Sequence, residues 1–324
     1  MPRQARLDAP GTLHHVIVRG IERGRIVDDR WDRGNFVSRM GQVASDTKTV
    51  IYAWALMTNH AHILLRSGPH GLSRFMRRFL TGYAITYNRR HKRHGQLFQN
   101  RYKSIVCDED VYFRELVRYI HLNPIRADFV KRISELDRYR WCGHNVMIDG
   151  TKYEWQDRDY VLSWFGKREG EAKRAYRQYI EEGVGQGRRP ELVGGGLVRS
   201  LGGWSQVLSM RKHNKRVMSD ERILGSGDFV DRIIREAGQK VECEFGANNI
   251  KEKVGKFIEQ VCKKENIHPK ELRMRGKRGR IGQVRSQMAY QLVEDYGIPL
   301  AEVARQLGVT PSAVSKAISR TIKT

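Results

Sequence analysis

Two histidines separated by one residue are the first candidates for chemistry in this sequence. His60 and His62 stand in the segment NHAHI at positions 59–63. Side chains two residues apart on a β-strand point to the same face, so both imidazoles can reach one point. Neutral imidazoles bind divalent metals, but two of them make only part of a site. Spacing alone leaves two interpretations open, a partial metal site or ordinary surface and core histidines.

A tyrosine and an asparagine four residues apart are the second candidates. Tyr119 and Asn123 fall in DEDVYFRELVRYIHLN, residues 108–123, whose apolar residues recur at helical spacing. The acidic start suits a helix N-terminus, and Pro124 predicts that the helix ends at Asn123. Residues at i and i+4 are neighbours on one helix face. An oxygen of Asn123 could therefore complete a metal site beside the phenol of Tyr119.

A phenol beside a metal-bound phosphate can act as a nucleophile. An unperturbed phenol, with a pKa of about 10, is a poor nucleophile at neutral pH. A metal that polarises the phosphate offsets the charge that develops in the transition state. The resulting phosphotyrosine conserves the energy of the phosphodiester, so a free 3′-hydroxyl can reverse the attack. The spacing of Tyr119 also fits a half-buried core aromatic.

Strand-like and helix-like segments alternate around these candidates. Residues 13–19 and 50–57 are rich in β-formers, and 60–65 follows after two residues, which predicts a hairpin that carries the histidine pair. Apolar residues at helical intervals predict a helix over 31–45 between the first two strands. A further amphipathic helix, with an apolar face and a basic stripe, is predicted over 71–88.

The composition points to a polyanionic partner. The 324 residues contain 60 Lys and Arg against 36 Asp and Glu, a formal net charge of +24, with 40% hydrophobic residues. This composition is typical of globular proteins, and the length predicts two or three domains. Nucleic acid is the commonest partner that neutralises such a surplus. A merely soluble basic protein is the alternative.

Several classes of protein are excluded or disfavoured. No stretch approaches the roughly 18 to 20 apolar residues of a membrane span, and the opening MPRQARLDAPG lacks the apolar segment of a secretory signal. We therefore expect a cytoplasmic, nucleoid-associated protein. Cys107, Cys142, Cys243 and Cys262 form no C-x-x-C pair, which predicts ordinary reduced cysteines. The glycines of residues 184–203 lack the spacing of a phosphate-binding loop and predict loops or a linker.

The C-terminal segment LAEVARQLGVTPSAVSKAIS, residues 300–319, has the period of a helix-turn-helix. Ala304 is small where two helices must approach, Gly308 suits the turn, and Val314 can pack the second helix onto the first. Pro311 fits the first turn of the second helix. A plain helical hairpin is the alternative. Upstream, residues 273–280 carry five basic residues in eight, a dense source of phosphate contacts.

Four motifs, in this order, resemble the HUH single-tyrosine transposases and within them the REP-associated tyrosine transposases. They are VRG at 18–20, NHAHILL at 59–65, GQLFQNRYKS at 95–104 and RYIHLNPIRA at 118–127. The resemblance covers roughly residues 5–145 and implies a ferredoxin-like α+β catalytic domain. It implies cleavage of single-stranded DNA near hairpins, with a 5′-phosphotyrosine and a 3′-hydroxyl as products. It also implies that His60, His62 and Asn123 bind Mg²⁺ or Mn²⁺ and that Tyr119 is the nucleophile.

Two segments depart from the family pattern. The small Ala61 stands between the histidines, where it should fill its core position less well. The segment YRWCGH at 139–144 differs from the family's usual serine-containing run, which leaves its role open. The last 45 or so residues resemble the DNA-binding domain of the replication initiator DnaA, which implies duplex recognition. Related enzymes leave both a monomer and a homodimer open.

Together these patterns predict a catalytic HUH domain over 1–150, a helical and glycine-rich linker over 151–245, and a mostly helical DNA-binding domain with a helix-turn-helix over 246–324. Phe98 and Tyr102 are candidates for base stacking. A non-catalytic DNA-binding regulator on the same scaffold is one alternative, and an RNA-binding or RNA-cleaving protein is another. The predicted DNA contacts are Arg74, Arg77, Arg78, Arg89, Arg90, Arg101 and Lys103 for the single strand, and Thr310, Ser312, Ser315, Lys316 and Arg320 for the duplex.

Overall fold

A mixed sheet is the framework of the N-terminal part of the chain in this computed structural model. Strands β1 to β4 pair antiparallel, β5 joins β4 in parallel, and the order across the sheet is β2-β3-β1-β4-β5. The order of the first four strands is that of the predicted ferredoxin-like α+β fold. The strands are β1 (Leu13–Arg19), β2 (Val50–Leu56), β3 (His60–Arg66), β4 (Lys103–Cys107) and β5 (Ile223–Leu224).

Each face of the sheet carries its own hydrophobic core. Successive residues of a strand point to opposite faces, and accordingly Trp54 and Ile63 belong to one cluster of buried residues, whereas Ala55 and Leu64 belong to another. The first cluster includes side chains of α1 (Arg30–Thr47) and α2 (Gly71–Arg90). The second includes those of α3 (Glu109–His121), the helix that carries Tyr119. The predicted hairpin and helices therefore exist, within a few residues of the expected bounds.

Residues beyond α3 extend the second core. Short helices α4 (Asn123–Arg126), α5 (Ile133–Leu136), α6 (His144–Ile148) and α7 (Arg158–Ser163) lead to α8 (Glu169–Glu182). Tyr176 and Ile180 of α8 are fully buried in the same cluster as Leu116 and Val117 of α3. Two short 3₁₀ turns, Val184–Gln186 and Pro190–Leu192, follow. The stretch from α7 to Leu192 thus packs directly onto the helix that carries the tyrosine.

The described residues are 7–99, 102–148, 153–187, 189–193, 220, 222–245, 247–273, 279–294, 298 and 300–321. The chain divides into two units, Met1–Ala237 and Gly238–Thr324. The predicted domain boundaries at 150 and 245 stay predictions.

The C-terminal unit is helical and has its own core. Val303 and Leu307 of α13 (Leu300–Leu307) pack with Val314 of α14 (Pro311–Thr321) in one buried cluster, and Gly308 takes a φ of +67° in the turn between these helices. Ala304 is 3% exposed, as expected for a close helix approach. Helix α9 (Gly227–Phe245) begins in the first unit, and the helices between it and α13 are α10 (Ala247–Glu265), α11 (Pro269–Arg273) and α12 (Arg280–Glu294).

Among the described residues, every helix is too short or too polar to traverse a lipid bilayer. Cys107, Cys142 and Cys262 are buried free thiols, while the side chain of Cys243 lies outside the described part of the chain.

Candidate active site

The two histidines lie at the start of β3 and share one face of the sheet. In the register with β1, His60 is opposite Arg19 and His62 is opposite Ile17. The centroids of the two imidazole rings are 5.3 Å apart. His62 is 4% exposed and His60 is half-buried. Strand alternation therefore brings the pair together, as the sequence predicts.

Burial keeps both imidazoles neutral. Desolvation, helped by the positive charge of Arg19, lowers the pKa of His60 to about 4. Desolvation also holds the pKa of His62 well below its usual value, and the neighbouring His15 and His60 lower it further. A neutral imidazole has one unprotonated ring nitrogen, which is what a metal ion requires.

A neighbouring amide fixes which nitrogen of His60 is unprotonated. The Asn59 side chain donates from Nδ2 to the Arg23 carbonyl at 3.1 Å, so its Oδ1 is the atom 2.7 Å from Nδ1 of His60. An amide oxygen only accepts, and therefore Nδ1 of His60 donates and Nε2 carries the lone pair. In His62, Nδ1 is 2.9 Å from Nε2 of His15, which leaves Nε2 for a ligand. Such outer partners commonly orient metal-binding histidines.

Tyr119 lies against this histidine group from the α3 side. Its half-buried ring meets the ring of His62 edge to face at 5.8 Å and that of His15 at 6.0 Å. The guanidinium of Arg126 lies over the same ring, 5.0 Å from its centroid. The tyrosine and the histidine pair are 57 residues or more apart in sequence and adjoin in the fold.

The helix that carries Tyr119 ends earlier than predicted. α3 ends at His121, and Asn123 opens α4 with Pro124 in its first turn. Pro124 has no N–H for the Ile120 carbonyl, four residues earlier. The side-chain amide of Asn123 donates to that carbonyl at 3.2 Å and to the Tyr119 carbonyl at 2.9 Å. Because its nitrogen is used in this way, the amide oxygen of Asn123 is the atom that can bind a ligand.

Two cations beside the histidines were not among the predicted site residues. Arg19 and Arg126 both contribute to the low pKa of His62. Arg126 is half-buried and donates from Nη1 to the Tyr119 carbonyl at 2.9 Å. Arg19 is exposed, opposite His60 on β1. Both belong to motifs noted in the sequence, VRG and RYIHLNPIRA, which could have identified them. His15 could have been found from strand alternation, which places it on the face of His62.

The donor set fits a divalent ion. His60 and His62 present neutral imidazoles, and Asn123 presents an amide oxygen. Imidazole nitrogen suits transition metals and amide oxygen suits harder ions, so the mixed set fits Mn²⁺ better than Mg²⁺.

A second group of potential ligands has partners within the protein. Ligand atoms of Asp28, Asp32 and His91 lie within 4.8 Å of one another. Arg90 donates to Asp32 Oδ1 at 2.7 Å, and Nε2 of His91 is 2.9 Å from Asp32 Oδ2. Asp32 and His91 lie at α1 and the end of α2, away from Tyr119. We interpret this group as an ion-pair network that ties the two helices together.

The predicted single-strand contacts on α2 do not adjoin the tyrosine. α2 packs on the sheet face opposite α3, so Arg74, Arg77, Arg78, Arg89 and Arg90 lie on the far side of the sheet. Arg78 pairs with Asp46 at 2.8 Å, and Arg90 pairs with Asp29 as well as Asp32. Their contact with DNA stays a prediction.

The remaining predicted single-strand residues have mixed surroundings. Phe98 and Tyr102 are half-buried against the core of α1 and α2, with Phe98 6.3 Å from the ring of Tyr83. Lys103 is exposed and donates to the Val193 carbonyl at 2.7 Å. Arg101 lies outside the described residues.

The predicted duplex contacts lie on or just before α14. Thr310, Ser312, Ser315 and Lys316 are exposed. Thr310 also accepts a hydrogen bond from the Ala313 N–H at its hydroxyl, 3.2 Å, which is the contact of a helix N-cap. Arg320 is in α14, but its side chain lies outside the described part. Duplex binding by these residues stays a prediction.

The segment that departs from the family pattern has a structural role. His144 of YRWCGH and His121 of α3 both contact the buried Tyr176 hydroxyl, each from Nδ1 at 2.7 Å. Nε2 of His144 is 2.9 Å from Asp137 Oδ1. The segment YRWCGH thus fastens α3 to α8.

Ala61, the other departure from the family pattern, is 1% exposed and lies in the core beside α1 and α2.

Comparison with known proteins relates this geometry to one family. The family model described as "Transposase IS200 like" matches residues 11–123. A solved structure of a REP-associated tyrosine transposase bound to a REP hairpin is similar to 45% of this chain and 84% of its own, with 17% identity and a TM-score of 0.38. No curated protein matches the chain significantly. The residues that match this family model, 11–123, contain β1 to β4, the histidine pair, Tyr119 and Asn123.

Proposed function

We propose that the protein is a metal-dependent transposase that cleaves and transfers single-stranded DNA at hairpins through a 5′-phosphotyrosine intermediate. The observation that carries the proposal is the approach of Tyr119 to the histidine pair. Its ring lies 5.8 Å from that of His62, whose burial keeps it neutral. The match of residues 11–123 to the IS200-like transposase family model supports the same activity.

Three side chains would hold the metal. His60 and His62 would bind through Nε2 and Asn123 through its amide oxygen, because their other polar atoms have partners within the protein. A bound Mn²⁺ or Mg²⁺ would polarise the scissile phosphate and offset the negative charge of the transition state. The two imidazoles need no deprotonation at neutral pH, since burial lowers the pKa of His60 to about 4.

Tyr119 would supply the nucleophile. Its phenolic oxygen forms a bond to phosphorus, and the bond between phosphorus and the 3′-oxygen breaks. The phenol loses its proton to solvent, and the departing 3′-oxygen takes up a proton and leaves as a hydroxyl. A later attack by a 3′-hydroxyl on the phosphotyrosine reverses these bond changes and joins the strands.

Arg126 would position the tyrosine and attract the phosphate. It donates to the Tyr119 carbonyl at 2.9 Å and lies over the ring, so it restrains both the main chain and the side chain of the nucleophile. Its positive charge, with that of Arg19, adjoins the site of attack. Fixed cations of this kind stabilise a phosphoryl transition state without reorganisation.

The C-terminal unit would bind duplex DNA near the cleavage site. Its exposed Thr310, Ser312, Ser315 and Lys316 lie on or just before one helix, and the net charge of +24 over the whole chain favours a polyanion. In this proposal residues 1–150 catalyse, 151–245 connect and 246–324 bind duplex.

Cleavage of a hairpin-containing single strand tests the function. We expect wild-type protein with Mn²⁺ to give a shortened 3′-hydroxyl strand and a covalent protein–DNA adduct, and expect neither product with chelator. Tyr119→Phe should give no adduct, whereas Tyr112→Phe, a matched change of another half-buried tyrosine on α3, should react like wild type. Equal DNA binding with chelator and no cleavage with any divalent ion would instead favour a non-catalytic regulator. Preferred cleavage of a matched RNA hairpin would favour the RNA alternative.

A further inference from the structure

We propose that His15 and the main chain at Leu192 are positioning groups for the metal site, which hold His62 in the tautomer that can bind a metal through Nε2. The proposal deepens the proposed function and rests on it for the ligand. It also gives a role to the segment 189–193, which lies outside the residues that match the family model.

The direction of each hydrogen bond follows from one carbonyl. Nδ1 of His15 is 3.2 Å from the Leu192 carbonyl oxygen, and a carbonyl only accepts, so Nδ1 of His15 carries the proton. A neutral His15 then has an unprotonated Nε2. That nitrogen is 2.9 Å from Nδ1 of His62, which must therefore donate. His62 is left with its lone pair on Nε2.

Burial makes this chain of hydrogen bonds favour one tautomer of His62. His15 is 0% exposed, His62 4% and Leu192 1%. Water cannot readily replace a lost partner at such positions, and an unpaired buried polar atom is costly. If the proton of His62 moved to Nε2, Nδ1 of His62 and Nε2 of His15 would face each other as two acceptors. The chain of hydrogen bonds thus disfavours the tautomer that cannot bind metal through Nε2.

The segment that supplies the carbonyl is tied to both neighbours of the site. Lys103 of β4 donates to the Val193 carbonyl at 2.7 Å. Arg189 donates to Glu115 of α3 at 3.0 Å, one turn before Tyr119, and the Tyr179 hydroxyl of α8 donates to the same carboxylate at 2.5 Å. The position of the Leu192 carbonyl is thereby coupled to the strand and the helix that frame the active site.

Three variants of full-length protein separate this role from simple packing. His15→Leu removes both hydrogen bonds, and His15→Gln retains an acceptor and a donor on a side chain of similar reach. The control is His14→Leu, because His14 is equally buried and adjacent on β1 but points to the opposite face, where it contacts Ser104 Oγ at 3.0 Å. Circular dichroism and thermal unfolding identify variants that remain folded.

The first readout needs neither metal nor DNA. Long-range proton–nitrogen NMR correlations of ¹⁵N-histidine-labelled, metal-free protein distinguish protonated from unprotonated ring nitrogens. We expect His62 to be protonated at Nδ1 in wild type, His15→Gln and His14→Leu, and to show Nε2 protonation in His15→Leu. Arg189→Met, which releases the segment from α3, should weaken the signature of the Nδ1 proton of His15.

The second readout is Mn²⁺ affinity, measured from the EPR signal of the free ion. Loss of an outer partner of a metal ligand typically costs about 10- to 100-fold in affinity, which we expect for His15→Leu, with a smaller loss for His15→Gln and none for His14→Leu. Protonation of His62 at Nε2 in metal-free wild type would overturn the proposal, as would wild-type affinity in folded His15→Leu. If the proposed function fails but this proposal holds, the result is different. The variants then show the expected His62 tautomers and Mn²⁺ affinities, but wild-type protein forms no DNA adduct.

Discussion

The side-chain amide of Asn123 donates a hydrogen bond of 2.9 Å to the main-chain carbonyl of Tyr119. This bond links the proposed metal ligand to the proposed nucleophile. The same amide donates to the Ile120 carbonyl at 3.2 Å, for which Pro124 has no N–H to offer. Asn123 caps the end of α3 through its nitrogen, and in the proposed function it also binds the metal through its oxygen.

The two roles of Asn123 should separate by substitution. Asn123→Ala should lower the free energy of unfolding by about 1 kcal/mol and weaken Mn²⁺ binding. Asn123→Asp loses the same donor and places a negative charge at a helix C-terminus, which is unfavourable, yet keeps an oxygen ligand. We expect Asn123→Asp to be less stable than wild type in urea unfolding, but to bind Mn²⁺ at least as tightly as wild type in an EPR titration.

The control for these variants is Asn88→Ala, which removes a comparable bond of 2.8 Å from Nδ2 to the Gly95 carbonyl on the other side of the sheet. It should leave Mn²⁺ affinity unchanged. Weaker Mn²⁺ binding by Asn123→Asp than by Asn123→Ala would contradict the ligand role.

Removal of the Arg126 cation should slow cleavage more than it affects folding. Arg126→Met takes away the charge over Tyr119 and should reduce the single-turnover cleavage rate by about 100-fold, the usual effect of losing one fixed group that stabilises a transition state. Arg132→Met, at a side chain that is 80% exposed, serves as the control. Equal rates for the two variants would show that Arg126 has no part in the reaction.

The buried hydroxyl of Tyr176 should matter for stability. Tyr176→Phe leaves the Nδ1 atoms of His121 and His144 without the partner that each has at 2.7 Å. We expect the unfolding free energy of the N-terminal unit to fall by about 2 kcal/mol, since unpaired buried polar groups cost this much. Tyr139→Phe, a half-buried tyrosine outside this network, should cost much less. Similar losses in urea unfolding would argue against the network.

Acid should destabilise the fold below the ordinary pKa of histidine. Burial lowers the pKa of His14 to about 4 and also lowers the pKa values of His121 and His144. The unfolded chain therefore binds protons first, and stability, complete above pH 6.5, decreases as the pH falls from 6.5 toward 4. One group with this shift costs about 2 kcal/mol at pH 5. Urea unfolding gives the free energy of unfolding at pH 5 and at pH 7. The loss between pH 7 and pH 5 should be smaller for His14→Leu than for wild type, and an equal loss would contradict the assignment to His14.

Local patterns predicted the elements that hold the site. Alternation placed His60 and His62 on one strand face, and helical spacing placed Tyr119 on a helix, because both depend only on neighbours in sequence. The sequence predicts the end of α3 two residues too late. The Ile120 carbonyl, which lacks the N–H of Pro124, is bonded by the side chain of Asn123, and the sequence does not show the geometry of that bond.

Long-range packing escaped sequence reasoning. The sequence predicts the basic stripe of α2. It does not predict that α2 covers the sheet face opposite Tyr119, because amphipathicity shows which side of a helix is buried but not which element it packs against. The position of Leu192 beside His15, 177 residues apart, likewise depends on tertiary packing alone. His15 itself was within reach of the strand pattern.

The most direct test of the account is to locate the covalent link between protein and DNA. Trypsin cleavage after Arg118 and Arg126 releases residues 119–126, YIHLNPIR, in which Tyr119 is the only tyrosine. After reaction with a hairpin-containing single strand and Mn²⁺, followed by nuclease digestion, mass spectrometry should find this peptide with a nucleotide attached through phosphate to Tyr119. A nucleotide attached to any other tyrosine would contradict the account. So would the absence of an adduct when the protein is folded, binds Mn²⁺ and has cleaved its substrate.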